Sequence, residues 1–461
     1  DDLPEPVDAV AVAIPAPGVA EAVRAAARRG CGGAVVVSAG FGEVEAGRAL
    51  EDSLAAAARE GGIPVCGPNG NGIVNLAAGA AIWGDSVQAL PPGPVALISQ
   101  SGNVAVNALG SHRGIGFHTV ISTGNGTVCD TGDWLLALSE RDGLGSVALF
   151  LESDGDGAKL AEGLARCAER GVRVVVLKVG SSEAGAGAAA AHTGALAGDQ
   201  RVFRALVEEA GASWVRNPHE LLELARVLAE PHARPRRGSG GGLAILTCSG
   251  GDSGIAGDEA ERLGIELPAL HAGTADRLGG LLPEAATVAN PLDYTSLIWA
   301  ETERLASIVE AVGDDPAVDQ LLIFHDTPED LSAEATESWG ATRAGLVDGA
   351  KRCAAAPLFA STLPDLIRET VIRELAGAGI ASVGGLSTAM LCAREIRRSP
   401  GDPARLREIA AASGTGTERA SEREWLGEAD AKELLRKAGI PVPDGRAVDS
   451  AEDCAAAAGE L

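Results

Sequence analysis

The chain has 461 residues, 46% of them apolar and 22% charged, with a formal net charge of −26. At roughly 100 to 200 residues per domain there is room for about three domains, each able to bury a core. So acidic a balance repels polyphosphate backbones, and no Lys/Arg cluster interleaved with aromatics offsets it. Nucleic acid is therefore excluded as a partner, and small-molecule chemistry is expected.

The first residues, Asp1-Asp2-Leu3-Pro4-Glu5, lack the basic and then apolar pattern of a secretory signal. No later apolar run approaches the roughly 18 to 20 residues of a membrane helix. A cytoplasmic protein without a membrane partner is expected. Short β-branched runs then alternate with Ala/Leu/Glu/Arg segments of helical period, which predicts βαβ units and an α/β class with parallel sheets. Val10 to Ile14, Ala34 to Val37 and Ile63 to Cys66 read as buried strands, with helices near Val19 to Arg29 and Glu45 to Glu60. A Rossmann-type sheet opens on a strand and a Gly-rich turn, and nothing before Asp8 supplies them. Residues 1–88 are therefore expected to form an incomplete domain of this type.

A second unit is expected over 89–230. It carries the strand Val95 to Ile98, then Ser99-Gln100-Ser101-Gly102-Asn103 and a helix. The Pro-, Arg- and Gly-rich residues 231–242 predict an exposed linker. A third unit, 243–400, opens with Leu243 to Leu246, then Thr247-Cys248-Ser249-Gly250-Gly251 and another helix. The two openings match position for position, with Ser101-Gly102 on Ser249-Gly250, and Gly114-Ile115 and Gly264-Ile265 are expected to close the two helices. This predicts one architectural unit used twice, each placing a helix N-terminus just past the end of a strand. Residues 401–424 read as a second linker, and 425–461 as a helical segment too short to bury a core of its own.

The sharpest local signal is Ala191-His192-Thr193-Gly194-Ala195-Leu196-Ala197-Gly198, a histidine on a Gly-flanked run. A lone loop histidine is more often a solvated or capping residue than a catalyst. Two helix starts give it context, because each offers four N–H groups without intrahelical partners and the positive end of a macrodipole. Taken singly, each Ser-Gly is an ordinary N-cap worth ~1 kcal/mol. Glu152, ending the apolar strand Val147 to Leu151, could fix the tautomer and orientation of an imidazole, or could be a simple strand-end acid. The eight cysteines show no CxxC pair or Cys/His cluster, so they read as mostly reduced, buried residues and no metal site is expected.

In order and spacing, Gly67-Pro68-Asn69, Ser99-Gln100-Ser101-Gly102, Gly124-Asn125, Leu151-Glu152 and Ala191-His192-Thr193-Gly194 resemble the ADP-forming acyl-CoA synthetases, relatives of succinyl-CoA synthetase. The resemblance implies a CoA-binding Rossmann-like domain, two flavodoxin-like ligase domains and the start of an ATP-grasp domain. It implies that His192 is phosphorylated and that Glu152 orients it. Ser101, Gly102 and Asn103 would hold phosphate at the acyl site, Gly250 and Gly251 would do so nearer the nucleotide, and Gly124 and Asn125 would line the acyl site. Coenzyme A would meet Pro15, Ser38, Gly40, Phe41, Pro68 and Asn69. ATP or ADP is the implied second cofactor, with Mg2+ in the ATP-grasp domain. The implied partners are a carboxylic acid or acyl-CoA and phosphate, in a homo-oligomer or paired with an ATP-grasp domain or subunit. A regulatory CoA-sensing module of a protein acyltransferase is the alternative. After Gly67-Pro68-Asn69 the family often has Cys-Leu-Gly or Cys-Pro-Gly where this chain reads Gly70-Asn71-Gly72, and Asp252 stands where many relatives carry Pro.

Overall fold

The computed structural model describes residues 4–87, 90–182, 184–185, 187, 200–235, 241–413, 426–443, 445, 448 and 450–460. They fall into two compact units, Asp1–Ala410 and Ala411–Leu461. Unit 1 contains three sheets. The first is three-stranded and parallel, β1 (Val10–Val12), β2 (Ala34–Val36) and β3 (Val65–Cys66) in that order. Its helices Val19–Arg29 and Arg48–Gly61 end in left-handed glycines, Gly30 and Gly62, the cap that costs least where no Cβ crowds the last turn. Val19, Val23, Leu54 and Val65 are fully buried between sheet and helices.

The next strands are β4 (Gly72–Asn75), β5 (Ala80–Trp83), β6 (Pro92–Ser99), β7 (Phe117–Ser122), β8 (Ser146–Leu151), β9 (Arg173–Lys178) and β10 (Ser213–Trp214). They form one seven-stranded sheet ordered β10-β9-β8-β6-β7-β4-β5. The parallel part, β7-β6-β8-β9-β10, has the 2-1-3-4-5 order of a flavodoxin-like sheet, and the antiparallel hairpin β4–β5 extends it beyond β7. The chain thus enters the second sheet at Gly72, well before the 88/89 boundary expected from the sequence. A two-residue alternation of half-buried and buried positions in Gly72–Asn75 suits a strand against either sheet, and pairing with β7 decides.

The third sheet contains β11 (Gly242–Thr247), β12 (Leu292–Asp293), β13 (Val318–Phe324), β14 (Ala356–Ala360) and β15 (Ala381–Val383). Its order β12-β11-β13-β14-β15 is again 2-1-3-4-5, and every pairing is parallel. The repeat legible in the two Ser-Gly openings is therefore a repeat of whole topology.

The two flavodoxin-like sheets share one core. Leu97, Phe117 and Val175 of one sheet and Ile245, Leu322 and Leu358 of the other belong to a single buried cluster, together with helices Pro218–Leu228 and Leu386–Ile396. Charges buried in this layer are paired. Arg226 meets Glu223 at 2.6 Å and Arg113 meets it at 3.1 Å, while the Gly384 N–H donates to it at 3.1 Å. Burial pushes Glu223 toward the neutral form, but Arg226, the Gly384 N–H and Arg113 outweigh it and hold the carboxyl below its ordinary range.

Three sequence expectations are corrected. Residues 401–424 contain the helix Pro403–Ser413, with Leu406 fully buried and Arg407 paired to Glu162 and Glu169. Asp402 before Pro403 is the helix-start signal hidden by the polar composition. In 231–242, Pro231–Ala233 forms a 3-10 turn whose Ala233 joins the shared core, and Gly242 already opens β11. The helix Gly102–Leu109 ends at Gly110 rather than at Gly114, whereas Gly264 does cap Gly250–Leu263 in the left-handed conformation.

In unit 2 the described residues hold the helices Glu428–Lys437 and Ala451–Glu460. Among the described residues no helix is long and apolar enough to cross a membrane.

The buried Glu223–Arg226 pair supplies a first prediction. Glu223→Ala leaves Arg226 buried without its carboxylate and should cost about 3–5 kcal/mol. A lowered urea midpoint is expected. An unchanged midpoint would mean that the pair does not hold the two sheets together.

Candidate functional site

In an open parallel sheet, ligands bind outside the carboxyl ends of the strands where the strand order reverses, because the flanking connections leave on opposite faces there. That point is β6 in the seven-stranded sheet and β11 in the five-stranded one, and each runs directly into its Ser-Gly helix start. The two starts share their hydrogen bonding. Ser99 Oγ donates to the Ser101 carbonyl at 2.7 Å, and Thr247 Oγ1 to the Ser249 carbonyl at 2.8 Å. Ser101 Oγ accepts from Val104 N at 3.4 Å, and Ser249 Oγ from Asp252 N at 3.3 Å.

At the first start, Gln100 is the residue that arranges the neighbouring strand end. Its Oε1 accepts from Glu152 N at 2.5 Å and Ser153 N at 2.8 Å, and its Nε2 donates to Ser153 Oγ at 2.9 Å. These bonds fix the backbone from which Glu152 projects, beside the N-terminus of Gly102–Leu109. Glu152 and the helix start line one cleft of about 570 Å³. Among the described residues its lining includes Ser101, Gly102, Asn103, Gly124, Asn125, Glu152 and Asn69, seven of the residues singled out from the sequence.

The three-stranded sheet meets this cleft along a backbone seam. Gly67-Pro68-Asn69 follows β3 and lies against Gly124-Asn125, which follows β7. Asn69 N donates to the Ser38 carbonyl and Asn125 N to the Pro68 carbonyl, both at 2.9 Å. Gly124 has φ +55°, and a Cβ there would stand 2.2 Å from the Pro68 carbonyl oxygen. Only glycine tolerates both the dihedral and the approach. Pro15, Ser38 and Gly40 sit at the carboxyl ends of β1 and β2, with Ser38 Oγ accepting from Ile14 N at 3.2 Å. Phe41 corrects the sequence reading, since its side chain is fully buried in the first core. It shapes the turn and presents no surface to a ligand.

Sequence reasoning passed over three kinds of lining residue. Asn71 accepts no role from the resemblance, yet its N donates to Ser122 Oγ at 2.9 Å and its Nδ2 to the Gly102 carbonyl at 3.3 Å. The departure Gly70-Asn71-Gly72 was the available signal. Glu51 reaches Thr127 Oγ1 from the first sheet's helix, and Asp85 enters from beyond β5. No local pattern marks these two. No Lys or Arg is found among the described lining residues, so an anion in this cleft would rely on backbone N–H groups and amides beside the carboxylates of Glu51, Asp85 and Glu152.

The second start stands apart from this cleft. Gly250 and Gly251 are exposed, and neither lines the cleft just described. Asp293 Oδ2 lies 3.5 Å from where a Cβ on Gly250 would stand. Burial, opposed by Thr362 and reinforced by Asp252 and Asp365, pushes the Asp326 carboxyl up. Burial, then Asp252 and Asp326, pushes the Cys248 thiol to about 11. Asp252 stands in the first helical turn, where its charge satisfies the helix dipole itself. A phosphate role for Gly250 and Gly251 therefore faces three carboxylates. His192 lies outside the described residues.

Residues 1–75 match a family described as a CoA binding domain, and 92–228 one described as a succinyl-CoA ligase like flavodoxin domain. An acetate–CoA ligase (ADP-forming) I of Archaeoglobus fulgidus is 34% identical over 325 residues, 69% of this chain and 46% of that one. The chain thus spans about half the length of that relative. The alpha subunit of acetate–CoA ligase (ADP-forming) II of Pyrococcus furiosus is 31% identical over 339 residues, 73% of this chain and 72% of the subunit. In fold, the chain resembles the dinucleotide-forming acetyl-coenzyme A synthetase 1 of Ca. Korarchaeum cryptofilum, solved with phosphate and ADP. The TM-score is 0.73, at 24% identity over 89% of this chain and 86% of that one. With the Pyrococcus alpha subunit matched at 31% identity over 72% of its length, the chain belongs to the family of ADP-forming acetate–CoA ligases.

Proposed function

We propose that the chain is the acyl- and CoA-handling part of an ADP-forming acyl-CoA synthetase, which interconverts acyl-CoA, ADP and phosphate with carboxylic acid, CoA and ATP. The observation that carries this reading is the convergence, in one cleft, of a helix N-terminus, Glu152 and the seam between the CoA-type turn and Gly124-Asn125. Residues up to about Asn71 are assigned to CoA, the seven-stranded-sheet domain from there to 230 to the acyl site and phosphohistidine, and 243–400 to the second ligase domain. Residues 425–461 are assigned to the beginning of an ATP-grasp domain. A second subunit or domain would supply the remaining nucleotide site, in keeping with the Pyrococcus relative's being an alpha subunit. Cytoplasm is the compartment this chemistry fits.

Phosphate first attacks the thioester carbonyl, the C–S bond breaks, and CoA leaves as thiolate. The attacking oxygens rest on the N–H groups at Gly102 and Asn103, where the helix dipole favours an anion. An imidazole nitrogen of His192 then attacks phosphorus, and the acyl–oxygen–phosphorus bridge breaks at the P–O bond to release the acid. Glu152 holds the imidazole so that the attacking nitrogen is unprotonated, and stabilises the cation formed on the ring. In the last step an ADP oxygen takes the phosphoryl group from His192. Among the described residues no group of three or more His, Cys, Asp or Glu is placed to hold a metal. Mg2+ is assigned to the nucleotide site of the ATP-grasp domain, where nucleotide phosphates would supply its ligands.

Gamma-labelled ATP should leave an acid-labile, base-stable label on the intact protein, and His192→Ala should abolish it. Label surviving that substitution would remove His192 from the mechanism. Glu152→Gln keeps the shape and should slow labelling by about 10²-fold or more. A rate equal to the unaltered protein's would leave Glu152 as an ordinary strand-end acid.

A further inference from the structure

We infer that Glu43 is a positioning residue that ties the turns assigned to coenzyme A to the turn assigned to the acyl group. Both substrates would then be held in one hydrogen-bonded frame. The inference rests on the ligase reading above.

The Glu43 carboxylate uses both oxygens. Oε1 accepts from the Gly40 N–H of its own turn. Oε2 accepts from Asn125 Nδ2 at 3.0 Å, across 82 positions of sequence. Asn125 Oδ1 in turn accepts from Asn69 Nδ2 at 3.3 Å. Asn69 N returns to the Ser38 carbonyl, and Asn125 N to the Pro68 carbonyl. The bonds close a ring through the turns after β2, β3 and β7, and Glu43 is its ionised member. Burial opposes that charge. The Asn125 amide and the N–H groups of Gly40, Glu43 and Phe41 outweigh burial and hold the carboxyl below its ordinary range. Glu51 makes a parallel reach from the same half of the chain to Thr127 Oγ1, so two carboxylates brace the 124–127 turn from the CoA side.

Neutral backbone bonds set the seam, but a charge-assisted bond is about twice as strong as a neutral one. Removing its ionised partner weakens whatever depends on the frame. A plain structural brace would change stability alone. A positioning role moves the affinity for CoA and does so through Asn125, which separates the two.

The test uses the full-length protein, with CoA binding by calorimetry and acyl-CoA formation by steady-state kinetics. Glu43→Gln can accept from Gly40 or from Asn125 but not from both. It should weaken CoA binding about 10-fold or more, the span expected for a lost bond to a charged group. The KM for the acid should rise with it, while kcat changes less. Asn125→Asp alone sets two carboxylates face to face and should also weaken CoA. Glu43→Gln with Asn125→Asp exchanges amide and carboxylate across the same contact, so the introduced amide donates to the introduced carboxylate. CoA affinity should return to within about threefold of the unaltered protein. Unchanged affinity in Glu43→Gln overturns the inference. So does a defect that the exchange fails to repair in variants with unchanged thermal midpoints, since Glu43 would then act without Asn125. An unaltered protein that binds CoA but forms no acyl-CoA with any acid sinks the ligase reading, and the affinity arm still decides the role of Glu43. Absence of CoA binding overturns both.

Discussion

Everything at the cleft depends on one backbone-to-backbone contact, Gly124 against Pro68 and Asn69. The left-handed dihedral and the absence of a Cβ let the turn after β7 lie directly on the turn after β3. With the Asn125 N–H bonded to the Pro68 carbonyl, two sheets that hydrogen-bond internally become neighbours in a single site. Gly70 continues the seam, since a Cβ there would stand 2.4 Å from the Ser122 carbonyl oxygen. Side chains then fill in around a geometry that the main chain has already set.

The repeated helix starts show how far topology alone determines chemistry. Both lie at switch points of sheets with the same strand order, and both use a hydroxyl at the strand end to hold the carbonyl of the capping serine. The neighbours decide the rest. Beside Ser101 stand amides together with Glu51, Asp85 and Glu152, the last with its backbone fixed by Gln100. Beside Ser249 stand Asp252, Asp293 and Asp326, with burial and then Asp252 and Asp365 pushing the Asp326 carboxyl up and Asp252 placed in the first turn of the helix. An anion cradle is therefore a property of the whole strand-end environment, and a Ser-Gly step supplies only its backbone.

Much of this was legible in the sequence. Alternating β-branched and Ala-rich segments gave the α/β class, and the paired openings at Val95 and Leu243 gave the duplicated domain, because strand-end and helix-start chemistry is local. The helix Pro403–Ser413 was missed because its single buried anchor, Leu406, gives no periodic apolar stripe. The transfer of β4 and β5 to the second sheet was missed because pairing partners lie 40 to 50 residues away, where no local pattern records them. Among the residues lining the cleft, those on strand-end motifs had been singled out, whereas Glu51 and Asp85 had not, since each approaches from another element. Phe41 was misassigned because a turn motif does not say which way its aromatic ring points.

The hairpin β4–β5 is continuous with the CoA-type half in chain but with the seven-stranded sheet in hydrogen bonding. Gly67 through Gly72 spans the gap in a few residues pinned at Pro68, Asn69, Gly70 and Asn71. Such stitching makes one short segment a border of both halves of the recess, so a substitution within it would disturb the two walls at once.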